Sequence, residues 1–228
     1  MVLKLYTINC NRRNNSSTNH DIEMLRKVFN LRYQVYHDEM GVVPENPEKE
    51  ISDIFDFIPY TWNFLVADDD EPVGVLRLTK YSDEYGLPIF YSSKELKNQL
   101  DKKINLYERI KNGSVFSEGS RFVVSKDYRR RSTGGKSLVS SILAINFYDE
   151  CKKVGITDIL IVANPNQINL YKKVGFEEIG KKIDELTGID SPIMYAKLDG
   201  GFKQFMMDLK FKLAKKMVYR IPNNSIYI

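Results

Sequence analysis

The stretch from Ser117 to Leu138, SEGSRFVVSKDYRRRSTGGKSL, constrains the fold of this chain more than any other. Its first eight residues alternate as a strand. Lys126, Asp127 and Arg129–Arg131 then break the strand into a basic turn, and Gly134-Gly135-Lys136-Ser137 leads into a long amphipathic segment. A strand, a glycine-bearing basic turn and a helix start together suggest a phosphate cradle. Backbone N–H groups free at a helix N-terminus point at an anion, and the helix dipole favours negative charge there. Lys126, Arg129, Arg130, Arg131 and Lys136 add positive charge. The plainer alternative is a solvated basic loop in which Gly134 and Gly135 serve only the turn. A nucleotide-binding P-loop is excluded, because it needs glycine five residues before Gly135 and Arg130 stands there.

The 228 residues suit one domain with an appendage. Hydrophobic residues at 43% and charged residues at 28% are ordinary for a water-soluble globular chain. No apolar run is long enough to span a bilayer and no signal-peptide pattern opens the chain, so a cytoplasmic protein is expected. Cys10 and Cys151 have no metal or redox spacing, and His20 and His37 are the only histidines. No metal site and no histidine-based triad are therefore expected. A net charge of +4 is too mild to imply nucleic acid.

Alternation predicts strands over residues 1–8, 62–67, 72–81, 157–163, 176–183 and 192–198, and helical periodicity predicts helices over 93–110, 133–154 and 166–174. After a polar loop, Ile22, Leu25, Phe29, Arg32 and Tyr36 share one helical face. Arg32 is the anomaly on that stripe. It either snorkels along the edge of the stripe or aims a guanidinium fork into a cleft. Asp53 and Asp56, three residues apart, can share one face of a helical turn. The plainer reading makes them a capping or turn aspartate with a solvated neighbour. Arg77 stands mid-strand with Val75 and Thr79, either facing solvent or meeting acidic partners. Glu118 and Arg121 would point to opposite faces of a regular strand, so a bulge, eased by Gly119, is needed to bring them together.

Two motifs give these residues a family context. Arg130-x-x-Thr133-x-Gly135 resembles the Arg/Gln-x-x-Gly-x-Gly/Ala signature of the GNAT acyltransferases, and Asn164-Pro-Asn-Gln-Ile-Asn-Leu-Tyr171-Lys-Lys-Val-Gly175-Phe176 resembles their second conserved segment. Arg32-x-x-Val35-Tyr36, Asp53-x-x-Asp56, Arg77 and Glu118-x-Ser120-Arg121 are similar, in order, to the pattern of the acyl-homoserine-lactone (autoinducer) synthases and the related N-acyl amino acid synthases. The resemblance covers about residues 22–185.

That resemblance implies a GNAT-like α/β fold, a central mixed and mostly antiparallel sheet flanked by helices. It would occupy residues 1–199, with 200–228 a basic amphipathic C-terminal helix and tail. It implies transfer of a fatty acyl group from an acyl carrier protein phosphopantetheine thioester, or from acyl-CoA, to the amine of an amino acid by direct attack. Glu118 would be the base and Tyr171 the acid for the leaving thiolate. Arg32, Asp53, Asp56, Arg77 and Arg121 would bind substrate or brace those that do. Phe122, Val123, Val124, Arg129, Arg130, Arg131, Thr133, Gly134, Gly135 and Lys136 would hold the thioester arm. The alternatives are lactone synthesis from S-adenosylmethionine, acetyl transfer from acetyl-CoA, and a non-catalytic thioester sensor. The tail places Phe202, Phe205, Met206, Leu209, Leu213 and Met217 on one face among lysines. That helix either covers the domain's own core or meets an acidic carrier protein or an anionic membrane surface.

Overall fold

A computed structural model describes residues 3–9, 19–91, 94–129, 132–133, 136–184 and 186–217. Arg130, Arg131, Gly134 and Gly135 of the basic turn lie outside the described residues, as do Cys10 and the chain beyond Met217. Seven strands form one mixed sheet in the order β1 (Leu3–Asn9), β2 (Thr61–Asp68), β3 (Glu71–Lys80), β4 (Phe116–Val124), β7 (Asp158–Val162), β9 (Asp190–Lys197) and β8 (Glu177–Ile183). The β1–β2, β7–β9 and β8–β9 pairs are antiparallel and β4–β7 is parallel. The short strands β5 (Ser132–Thr133) and β6 (Lys136–Ser137) pair only with each other. The chain divides into two compact units, one of residues 1–77, 121–148 and 208–228, the other of 78–120 and 149–207.

In the first unit, α1 (Asn19–Tyr33) lays Met24, Val28, Phe29, Leu31 and the following Val35 against Ile8, Leu65, Val75 and Val123. The buried stripe is therefore rotated from the one expected, and Ile22 is 50% exposed. Residues Gln34–Glu39 continue α1 as a π-helical turn. Behind the other face, after the single helical turn α5 (Lys126–Arg129), α6 (Leu138–Lys153) packs so closely that a Cβ on Gly74 would lie 2.4 Å from a Val139 methyl. Phe64 and Phe147 meet edge to face with 6.5 Å between ring centroids. The expected helix over 133–154 starts only at Leu138, because Thr133 and Lys136 pair across a small hairpin instead. Ser137 then caps α6 by accepting from Ser140 N–H at 3.4 Å.

In the second unit, a short helix α2 (Pro88–Tyr91) comes first, and the expected single helix over 93–110 is two pieces, α3 (Lys94–Ile104) and α4 (Leu106–Lys111). Asn105 breaks the run by taking a left-handed φ of 50°, a conformation asparagine tolerates better than most residues. The bend lets Leu96, Leu100, Ile104 and Leu106 close over Phe116, Leu160, Ile179, Ile193 and Tyr195 of the sheet. Arg109 of α4 is fastened to this core through Tyr195 Oη and, at 2.5 Å, Asp158. Burial, and then the bond to Asp158, push the Tyr195 phenol up to about 12.

After the 3-10 turn Pro165–Gln167, α7 (Ile168–Lys173) ends at Gly175, whose φ is 93°. α8 (Gly201–Met217) starts against that glycine and buries Phe202, Met206, Leu209 and Leu213. Its apolar face is thus spent on the protein's own core. Among the described residues no helix is long and apolar enough to cross a membrane.

Candidate active site

Two charged arrangements stand out, one in each unit. In the first, five residues singled out in the sequence meet in one cluster. Arg32 reaches it because α1 turns that residue onto the sheet side, where it is fully buried rather than snorkelling. Its Nη1 donates to both oxygens of Asp56 at 2.9 Å, its Nη2 to Asn63 Oδ1 at 2.7 Å, and its guanidinium lies 5.5 Å from the Phe29 ring centroid. The loop before the aspartates is pinned to α1 by Ile51, which donates to Phe29 O at 3.1 Å and accepts from Arg32 at 3.4 Å.

Asp53 caps a 3-10 turn, Ile54–Phe57, and Asp56 inside the turn completes a reciprocal capping box. Asp53 Oδ1 accepts from Phe55 N–H at 2.9 Å, and Asp56 Oδ2 accepts from Asp53 N–H at 3.0 Å. Neither is a solvated neighbour. Arg77 of β3, two residues beyond core Val75, donates to Asp53 at 2.6 Å and lies 3.2 Å from Asp56. Arg121 of β4 closes the cluster with a 2.8 Å bond to the other Asp53 oxygen.

Burial pulls the Arg32 guanidinium down to about 10, so it stays charged near neutral pH. Burial pushes Asp53 up, but Arg77 and Arg121 outweigh it and hold the carboxyl well below the usual range. Burial likewise pulls Arg121 down, and Asp53 more than reverses it. The cluster opens outward at one end: the side chains of Arg121 and Asp53 are 21% and 27% exposed, whereas Arg32 and Asp56 are sealed.

Arg121 itself has a φ of 56°. The left-handed residue of β4 is thus Arg121 itself. A left-handed non-glycine residue costs roughly 1–2 kcal/mol, and such strain gathers at functional sites.

Asn63 was not legible as a site residue. It is fully buried on β2, two residues before core Leu65, and it holds Arg32. Its one signal was a polar amide inside the apolar run Trp62–Ala67.

The second unit holds Glu118 and Tyr171. Glu118 is buried on β4, in register with Leu160 of β7, and its Oε2 accepts from Ile89 N–H of α2 at 2.5 Å. The β4–β7 pairing runs only from Phe116–Asp158 to Gly119–Ile161. Tyr171, on α7, stacks edge to face on Phe176, with centroids 5.7 Å apart, and Phe176 stacks in the same way on Phe202.

Of the residues expected at the thioester arm, Val123 and Val124 are buried and Phe122 is 41% exposed. Arg129, expected as loose positive charge, is tied down: it donates to Val124 O at 2.6 Å and to Glu39 at 2.5 Å. Glu39 also accepts from Lys126 N–H at 3.1 Å. Thr133 and Lys136 face each other across the hairpin. Among the described residues no group of three metal-ligating side chains occurs.

The profile of the N-acyl amino acid synthase FeeM family matches residues 27–199. The structure of FeeM, an N-acyl amino acid synthase from uncultured soil microbes, superposes with a TM-score of 0.61 at 13% identity, covering 92% of this chain and 99% of that one. BjaI, a CoA-dependent acyl-homoserine lactone synthase solved with SAM and isopentyl-CoA, gives 0.61 at 16% identity, covering 93% and 90%. A putative N-acetyltransferase from Lactobacillus plantarum gives 0.53 at 15% identity, covering 87% and 99%. No curated protein matches the chain in sequence. The fold is thus the GNAT-like acyltransferase fold, a mixed sheet flanked by helices with a further helix at its C-terminal end.

Proposed function

Because the chain belongs to the N-acyl amino acid synthase family, we propose that it transfers a fatty acyl group from a carrier-protein or CoA thioester to the amine of an amino acid. The observation that carries this reading is the arginine–aspartate cluster, which is sealed at Arg32 and opens at Arg121 and Asp53. A guanidinium at the rim suits a carboxylate, and the acid beside it suits an ammonium.

In the proposed reaction the amine nitrogen attacks the thioester carbonyl carbon and its proton passes to Glu118, directly or through water. The carbonyl oxygen takes the negative charge and receives hydrogen bonds from backbone N–H groups of Phe122–Val124. Collapse expels the thiolate, which Tyr171 protonates, and an amide remains. Ile89 N–H, donating to Oε2, fixes the Glu118 carboxyl while it accepts the proton. Arg32 is out of a substrate's reach, so its role is to set Asp56 and Asn63, and through them Arg77 and Asp53. No acyl-enzyme is invoked: Cys151 is buried and its thiol is pushed well up by that burial.

The test is mass spectrometry of lipid extracts from bacteria expressing the chain, with Glu118→Gln alongside. Long-chain N-acyl amino acids, absent with the variant, are expected, and their masses give both amine and chain length. With purified protein, Glu118→Gln should lower kcat by about 10²–10⁴-fold, the usual worth of a positioned base. Tyr171→Phe should slow thiolate departure and leave donor KM in place. Acyl-homoserine lactones would replace the reading with lactone synthesis from S-adenosylmethionine. No acylated amine from folded protein would sink it in favour of acetyl transfer or thioester sensing.

A further inference from the structure

The turn that follows β4 already holds an anion, and that anion is a side chain of the same protein. Glu39 closes the π-helical turn that extends α1, a kind of irregularity that gathers at functional sites. Its Oε2 accepts from Arg129 Nη2 at 2.5 Å and its Oε1 from Lys126 N–H at 3.1 Å. A guanidinium and a backbone amide thus converge on the two oxygens of one acid group. Two oxygens of a phosphate would meet the same pair of donors.

The donors do not depend on Glu39 for their aim. Arg129 Nε donates to Val124 O at 2.6 Å, which fixes the guanidinium from behind. Ser125 N–H donates to Val73 O of β3 at 3.0 Å, and Tyr128 Oη donates to Asp68 of β2 at 2.7 Å, so the backbone on both sides of Lys126 is anchored to the sheet. The Glu39–Arg129 pair, by contrast, faces solvent, with the Arg129 side chain 41% exposed. Ion pairs in that setting are weak, because water competes for both partners. The donors are fixed and the acceptor is exchangeable.

We infer that Glu39 is a specificity-determining residue for the acyl donor: its carboxylate stands in for the donor's phosphate on Arg129 and Lys126 N–H, and a phosphopantetheine thioester displaces it. Resting on the acyltransferase reading above, this adds the residue against which the donor's phosphate is read. CoA and a carrier protein both present that phosphate, whereas a thioester of pantetheine alone does not. With the turn empty, Glu39 keeps the guanidinium paired. When phosphate arrives, one anion replaces another and the carboxylate turns out to water. A thioester without phosphate leaves Glu39 where it is.

The experiment compares the full-length protein with Glu39→Gln and Arg129→Gln. One long-chain acyl group is supplied on CoA, on carrier protein and on pantetheine, with a fixed pool of amino acids as acceptor. Glutamine keeps the shape of Glu39 and removes its charge. Glu39→Gln should lower KM about three- to fivefold for a phosphate-bearing donor, the range set by a weak ion pair, and leave KM for acyl pantetheine within about twofold. Arg129→Gln should raise KM for the same donor by a similar factor and again spare acyl pantetheine. A shift with CoA alone, or with carrier protein alone, supports the inference and identifies the source of the phosphate. A Glu39→Gln protein whose KM for both phosphate-bearing donors is unchanged or higher overturns it. So does one whose KM moves equally for all three donors, which is what a purely structural tie would give. Should that variant not fold, Arg129→Gln decides by the same comparison. Wild type that acylates no amine from any donor sinks the acyltransferase reading, and calorimetry then decides the inference separately: tighter binding of CoA by Glu39→Gln than by wild type, with pantetheine unchanged, supports it, and equal binding of CoA overturns it.

Discussion

Asp56 shows how much of this protein hangs on single side chains. It is sealed from water, accepts both contacts from Arg32 Nη1, faces Arg77, and closes the capping box of the 3-10 turn through Asp53 N–H. Replacing it by alanine leaves two buried guanidiniums short of an anion and one backbone donor unpaired. Breaking a buried pair from one side typically costs about 3–5 kcal/mol. Asp56→Ala should therefore lose that much in urea unfolding, and a loss below about 1 kcal/mol would show that the cluster relaxes or hydrates. Arg121→Lys keeps the charge but loses the fork and its planar reach to Asp53. It should raise KM for the amine with little loss of stability, since Arg121 lies at the exposed end. The sequence offered all five charged members of this cluster in order. It hid Asn63, because a neutral amide carries no charge partner to betray it.

At the scale of elements, the informative contact is between the end of α7 and the start of α8. Gly175 combines a φ of 93° with a backbone so close that an added Cβ would lie 2.6 Å from Phe202 N and 2.8 Å from Gly201 C. Gly188 has a φ of 69° but open space around it. Alanine at either position would hold a Cβ in the left-handed region, a strain of about 1–2 kcal/mol. Only Gly175→Ala also pushes backbone against backbone, which has no rotamer to yield. Its Tm should fall clearly further than that of Gly188→Ala, and equal falls would mean that α8 shifts to accommodate the methyl. The same comparison shows what was legible. Most strands could be read from the sequence, because the side-chain pattern of a strand is written within its own few residues. The break at Asn105 could not. The apolar spacing of Leu96, Leu100 and Ile104 runs on to the next turn, and the interruption comes from one left-handed asparagine that lets α4 fold back on the sheet. The start of α6 was displaced for a similar reason, since the Thr133–Lys136 pairing competes with the helix for the same residues.

For the whole molecule, the cluster ties stability to pH in a definite direction. Asp53 is held well below the usual carboxylate range by Arg77 and Arg121, against the opposing pull of burial. In the unfolded chain it would titrate near the ordinary value of about 4. A depressed folded pKa means the unfolded state binds more protons as acid is added. The stability contributed by Asp53 is then complete above the unfolded pKa and is lost as pH falls below about 5. Asp53→Asn removes that linkage while keeping the side chain's size. Urea unfolding of wild type and variant between pH 7 and pH 3 should therefore give curves that converge: wild type more stable at neutrality, the gap narrowing through the acid range. Parallel curves would mean that Asp53 titrates normally in the folded protein. Convergence would show that the arginines of β3 and β4 hold the Asp53 carboxylate tightly from within the fold.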